Sequence, residues 1–321
     1  MPRVANVQTS KQVYPSSGSV ILVSRLSYAI FLLVGVLSAL AVTAAPLHIQ
    51  TYRADANGFN VASVLVMGKT DAVLIDAQYT QADAHRVVAD VLASGKRLTM
   101  VYVSQGDPDY YFGLEVIKQA FPDVRIFATQ PTIDHIKSTL PEKLKIWGPQ
   151  LGANGPKSPI VPDLLPGHGF TLEGQDLQVI GLDGPSPLYS FIWIPSIRAV
   201  MGGVRVFGNM HLWTTDTQTA AARQCWIDDL RHIESLGPMT VVPGHAKKDT
   251  ASDLSQVRFS KQYLTVYGEE LAKSKDSSAL IRAMKQQYPD AIGDDVLELG
   301  AKVNKGEIPW VSAPTCSGAV Q

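Results

Sequence analysis

The stretch Val101 to Gly113, VYVSQGDPDYYFG, limits what this chain can fold into more than any other. Met100 to Val103 has the composition of a short β-strand. It runs directly into a polar turn in which Gln105, Asp107 and Asp109 stand at alternate positions, closed by Tyr110. The residues from Leu114 to Ala120 then predict a helix. Polar side chains crowded just past the end of a strand are where α/β enzymes commonly keep their chemistry.

The surroundings support that frame. Leu47 to Asp76 holds three β-rich runs, HIQTYRA, NVASVLVMG and DAVLIDA, broken by Ala56-Asn57-Gly58 and Gly68-Lys69-Thr70. Ala84, Val87, Val88 and Val91 recur at helical spacing between Gln81 and Ser94, before Gly95. Leu98 to Val103 and Val124 to Thr129 are further strands, so strands and helices alternate as in an α/β chain. A helix is expected from Pro131 to Ser138. Beyond it LKIWGPQLGANGPKSPIVPDLLP, rich in Pro, Gly and Asn, predicts a long loop overhanging the site. FTLEG, DLQVIGL, YSFIWIP and RAVMGGVRV predict an antiparallel meander. Thr217 to Leu236 predicts a helix with Asp216 as its N-cap, and MTVVPGH a last strand ending at His245. Helical segments follow over 254–274, 278–288 and 294–302.

Residues 1–45 are a separate element. They carry Arg3, Lys11 and Arg25 and no acidic residue, followed by the apolar run AIFLLVGVLSALAVTAA. Small residues at its end predict a signal peptide cleaved near Ala44 or Ala45, and hence an exported, periplasmic or secreted protein. An uncleaved leader would make it a membrane anchor. Setting the leader's three basic residues aside leaves 25 Lys and Arg against 29 Asp and Glu. No basic patch suits nucleic acid. The expected partner is a small-molecule ligand or substrate, with membrane contact only through an uncleaved leader. Cys225 and Cys316 could pair in an oxidising compartment, and nothing in their spacing settles it.

Taken together, the β-hairpins, the LIDA strand end, the strand-loop-helix, the meander and the VVPGH turn resemble the metallo-β-lactamase-fold hydrolases over residues 50–250. The resemblance implies a four-layer αββα sandwich, with metals at the sheet edges. It divides the chain into a leader at 1–45, a domain at 46–250 and a helical extension with a loose tail at 251–321. In that family the loop reads His-x-His-x-Asp-His, and later a His, a bridging Asp and a Pro-Gly-His turn complete the metal centre. Here Gln105, Asp107 and Tyr110 stand at the three His positions of the loop, and Asp109 is retained. The later His falls at Asp183, the bridging Asp at Gly203, and His245 is retained. Asp76 corresponds to a supporting acid behind the site, and His211 lies in a loop that lines it.

Such a site lacks the imidazoles that an ordinary dizinc centre needs. Asp107, Asp109 and Asp183, with Asp76 behind them, cannot all ionise at close range without a cation or raised pKa values. Three solutions stay open. Mg²⁺, Mn²⁺ or Ca²⁺ could take the oxygen ligands, or Asp107, Asp109, His211 and His245 could hold one transition metal. Alternatively Arg205, two residues past Gly203 on the same face, could replace the metal by its own charge. Each residue also has a plainer role. Asp107-Pro108-Asp109 can cap a helix, Asp183 and His245 suit turns, His168 a loop, and His211 can pack on Trp213. His48, His85, His135 and His232 show no partner pattern. Two functions follow from the resemblance. One is a hydrolase of an ester, lactone or amide, with Asp109 and His245 holding a metal and its water and Asp107 or Asp183 as ligand or base. The other is a non-catalytic binding protein on the same scaffold.

Overall fold

A computed structural model describes residues 45–311. The expected leader, with its expected cleavage near Ala44 or Ala45, and Cys316 fall outside or at the edge of that span.

The first sheet has six strands, β1 (His48–Arg53), β2 (Ala62–Met67), β3 (Asp71–Ile75), β4 (Arg97–Val103), β5 (Arg125–Ala128) and β6 (Asp163–Leu164), in that spatial order. β1 to β3 are antiparallel neighbours and β3 to β6 are parallel. The parallel joins are made by helices: α1 (Gln81–Ser94) between β3 and β4, α2 (Pro108–Tyr111) and α3 (Leu114–Ala120) between β4 and β5, and α4 (Gln130–Leu151) between β5 and β6. Thr80 caps α1 by accepting from the N–H of Asp83 at 3.0 Å, and Gly95 ends it at φ 65°, a left-handed turn that costs glycine little.

The second sheet holds β7 (Gly169–Leu172), β8 (Gln175–Ile180), β9 (Phe191–Ile194) and β10 (Ala199–Met201) as an antiparallel meander, with β12 (Thr240–Val241) parallel to β10. A separate pair joins β11 (Phe207–Gly208) to β13 (His245–Ala246). The VVPGH run is therefore two short strands in different sheets, not one. Helices α5 (Ala220–Ser235), α6 (Leu254–Lys273), α7 (Ser277–Gln287) and α8 (Asp294–Asn304) complete the described chain. The N-cap of α5 is Thr219, not Asp216.

Side-chain alternation sets the layers. Val64, Val66, Val73, Ile75, Met100 and Tyr102 point from the first sheet to Leu172, Leu177, Val179, Ile192, Ile194 and Met201 of the second. The intervening Leu65, Leu74, Val101 and Val103 face the other way and pack on Val87, Val91, Leu114, Ile117, Ile133 and Ile136 of α1, α3 and α4. On the outer face of the second sheet, Phe191, Val200 and Val241 meet Trp226, Leu230, Val257, Leu264, Leu280, Met284 and Leu297 of α5 to α8. The result is the four-layer αββα sandwich that the resemblance implies. The helices after residue 250 share the apolar cluster of α5 and the second sheet. Each such buried side chain contributes about 1.5–3 kcal/mol.

The long-loop expectation is overturned in part: α4 continues past Ser138, through Pro141 and Pro149, to Leu151, and residues 155–162 lie outside helix and strand. Ile133, Ile136, Leu140, Leu144, Trp147 and Leu151 keep a three-four spacing across Pro141 and pack on the core. An apolar face that long outweighs the one ladder bond a proline removes.

Candidate functional site

The turn after β4 lies between α1, α4 and the β11–β13 pair. Asp107 occupies the N-cap position of α2, but its side chain makes no capping bond. It turns instead to α4, where the Lys143 ammonium donates to Asp107 Oδ1 at 2.9 Å, and His135 Nε2 lies 3.5 Å from the same oxygen. Burial alone would raise this carboxyl; Lys143 and His135 outweigh it and hold it well below the usual carboxylate range. Gln105 is buried, and its Oε1 accepts from the N–H of Gly106 at 2.6 Å.

Asp109 is buried two residues on, its Oδ2 3.3 Å from His245 Nε2. Burial, reinforced by the charge of Asp107, pushes its carboxyl up to about 8, so it carries a proton at neutral pH. His245 Nδ1 lies 2.8 Å from the carbonyl of Phe59. A carbonyl only accepts, so the proton sits on Nδ1 and the lone pair on Nε2. Phe59 adopts φ 56°, which presents that carbonyl. In a metalloenzyme the same fixed tautomer would aim Nε2 at a metal. Here the Tyr110 hydroxyl, 3.0 Å away, donates to it. Burial keeps Tyr110 protonated and holds the His245 imidazole down to about 4.

Behind this pair, Asp76 stands at φ 64° at the end of β3 and accepts both from the N–H and from the hydroxyl of Ser104, each at 2.7 Å. Burial still pushes its carboxyl up to about 7. Ser104 Oγ also accepts from the N–H of Gly203 at 2.7 Å. Gly203 has φ +73°, and a Cβ there would meet the carbonyl of Ser190 at 2.6 Å. A Cβ on Gly244 would lie 2.4 Å from the Gly203 carbonyl. Backbone therefore fills the position that the resemblance gives to a bridging acid.

The remaining expected residues are elsewhere. The Asp183 side chain is 86% exposed and pairs with His168 at 3.5 Å. His211 is buried in the helical layer, with Nδ1 2.9 Å from the Tyr263 hydroxyl and Nε2 3.9 Å from Asp294. Arg205 donates to Asp229 at 2.9 Å, with its guanidinium 3.7 Å above the Tyr189 ring. Its charge is engaged there, which removes it as the substitute for a metal. Among the described residues, no group of three or more His, Cys, Asp or Glu side chains could hold one metal ion. The expected donor set does not fit a metal: Asp109 and His245 converge, Asp107 is held by Lys143, and Asp183 and His211 are held by other partners.

Sequence reasoning missed His135 and Lys143. It also missed Arg53, whose Nη1 donates to the carbonyls of Asn60 and Pro243, each at 3.3 Å, tying β1 to the turn that carries His245. Asp216, expected as a cap, accepts from Trp213 Nε1 at 2.8 Å and Trp310 Nε1 at 2.9 Å. Burial, with Asp107 contributing, raises its carboxyl.

No protein-family model matches the chain, and no curated protein matches it. Solved structures do. They include the metallo-β-lactamase DIM-1, at 18% identity over 68% of this chain and 91% of that one, with a TM-score of 0.46. A metallo-β-lactamase from Pontibacter korlensis matches at 17% identity over 70% and 96%, with a TM-score of 0.47. One from Hirschia baltica matches at 14% identity over 68% and 92%, with a TM-score of 0.46. These are likenesses of overall shape, and no residue's role is taken from them.

Proposed function

We propose that this chain is an exported αββα binding protein for a small molecule or partner, in which the ligand loop of a metallohydrolase has been converted into a closed hydrogen-bonded network. One observation carries the reading: the His245 lone pair, oriented by the Phe59 carbonyl, is satisfied by the Tyr110 hydroxyl. A metal would have to displace that phenol and deprotonate a buried Asp109, and would gain two protein ligands where a catalytic zinc takes three. Export rests on the basic and apolar leader.

The hydrolase reading keeps one favourable observation, the convergence of Asp109 and His245 at 3.3 Å. Thermal unfolding with added Zn²⁺, Mn²⁺, Mg²⁺ or Ca²⁺ separates the two. A binding protein of this kind shows no rise in melting temperature with any of them. A rise that saturates at micromolar ion, and is lost in Asp109→Asn, would favour the hydrolase, since an ion that binds the fold stabilises it by linkage.

A further inference from the structure

Asp107 is one of several carboxylates near this loop, with Asp109 two residues away and Asp216 close enough to feel its charge. A lone ionised carboxylate in that company needs a cation. We infer that the chain supplies its own: Lys143, reaching down from α4, occupies the loop as a built-in ammonium in place of an external metal ion.

The coordination supports this. The Lys143 amine lies 2.8 Å from the Gly106 carbonyl, 2.9 Å from Asp107 Oδ1 and 3.1 Å from His135 Nε2. An ammonium has three N–H donors and no acceptor, and the Gly106 carbonyl and Asp107 Oδ1 take two of them. The side chains of Lys143 and His135 are 14% and 17% exposed, and that of Asp107 is 40% exposed. The backbone is shaped for the approach: a Cβ on Gly106 would meet His135 Cδ2 at 2.6 Å, so only glycine lets α4 come this close. The other candidate cations are committed elsewhere, Arg205 to Asp229 and Arg53 to the carbonyls of Asn60 and Pro243. On the same helix, Trp147 packs edge-on against Phe59 and Tyr79 at ring separations of 5.5 and 6.3 Å. Because Phe59 also orients His245, α4 is fixed across both halves of the site by Lys143 at one and Trp147 at the other.

This inference deepens the metal-free reading and rests on it, but a different measurement tests it. Urea denaturation of the whole chain is compared for the wild type, Lys143→Met, Asp107→Asn and the double variant. Lys143→Met leaves the partly exposed Asp107 carboxylate charged without its cation, and its unfolding constant should rise about threefold. Adding Asp107→Asn should recover most of that loss, giving a coupling of about twofold or more. Lys143→Ala provides a second readout: n-propylammonium should raise its melting temperature and leave the wild type unchanged, while 1-propanol does neither. A coupling near unity, or equal rescue by the amine and the alcohol, would overturn the assignment of Lys143 as the cation. A metal found at Asp109 and His245 would instead overturn the proposed function while leaving the coupling as it is.

Discussion

Two carboxylates separated by one residue end in opposite charge states here. Asp107 is ionised because Lys143 sits on it, and Asp109 is neutral because burial and the charge of Asp107 both oppose its ionisation. This gives a pH dependence with a definite sign. The Asp109 carboxyl is pushed up to about 8 in the fold, against about 4 when unfolded. Between those values the native state binds the extra proton, so this group's contribution to stability falls as pH rises through the window. Asp76, pushed up to about 7, acts in the same direction. His245 and His211, each held down to about 4, act oppositely, but only below about pH 6.5. Chemical denaturation should therefore show stability declining between pH 6.5 and 8.5, with a slope of at most about 1.4 kcal/mol per pH unit for each proton. Asp109→Asn should flatten that decline; an unchanged profile would mean that Asp109 is already ionised. Tyr110→Phe removes the phenol that donates to His245 Nε2 and leaves the more distant Asp109 carboxyl, 3.3 Å away, as its neighbour, at a cost of about 0.5–1.5 kcal/mol. Urea denaturation of that variant measures it.

At the scale of elements, the site is assembled by the turns after β3, β4 and β10, the β13 strand and helix α4. The Gly202-Gly203 turn after β10, with φ +71° and +73°, brings backbone where an acid is expected. Restoring that acid by Gly203→Asp should lower the melting temperature by several degrees, through the strained φ and the clash with the Ser190 carbonyl, without creating affinity for zinc. A micromolar zinc response in that variant would contradict the geometry described. The strands were legible because Val, Ile and Tyr alternate cleanly: β1 to β5, the β7–β10 meander, α1 and α3 lie close to where the residues place them. The loop was legible as a polar turn past a strand end from its density of polar residues. The part of helix α4 past Ser138 was not, because Pro141, Gly148 and Pro149 read as breakers. The apolar spacing from Ile133 to Leu151 was the signal that could have found it, and it would have put His135 and Lys143 on the same helix, two turns apart. The cation itself could not have been found from the chain order. Lys143 and Asp107 are 36 residues apart and meet only once α4 folds back across the turn.

For the whole molecule, three apolar clusters hold the four layers together, and side-chain contacts join Asp107 to Lys143 and His245 to Tyr110 at the loop. The described residues include no helix long and apolar enough to cross a membrane. Asp109 and His245, the two positions at which the resemblance keeps its expected residues, are in contact. Asp107 is bound by Lys143 and His245 by Tyr110. Elemental analysis of the chain purified without chelator and dialysed against metal-free buffer tests that arrangement most directly. The network described predicts well under about 0.1 equivalent of zinc, manganese or iron per chain, because two converging donors, one of them neutral, do not make the three-ligand site a catalytic metal takes. About one equivalent of any of these metals, retained through dialysis and lost together with stability in His245→Ala, would contradict it.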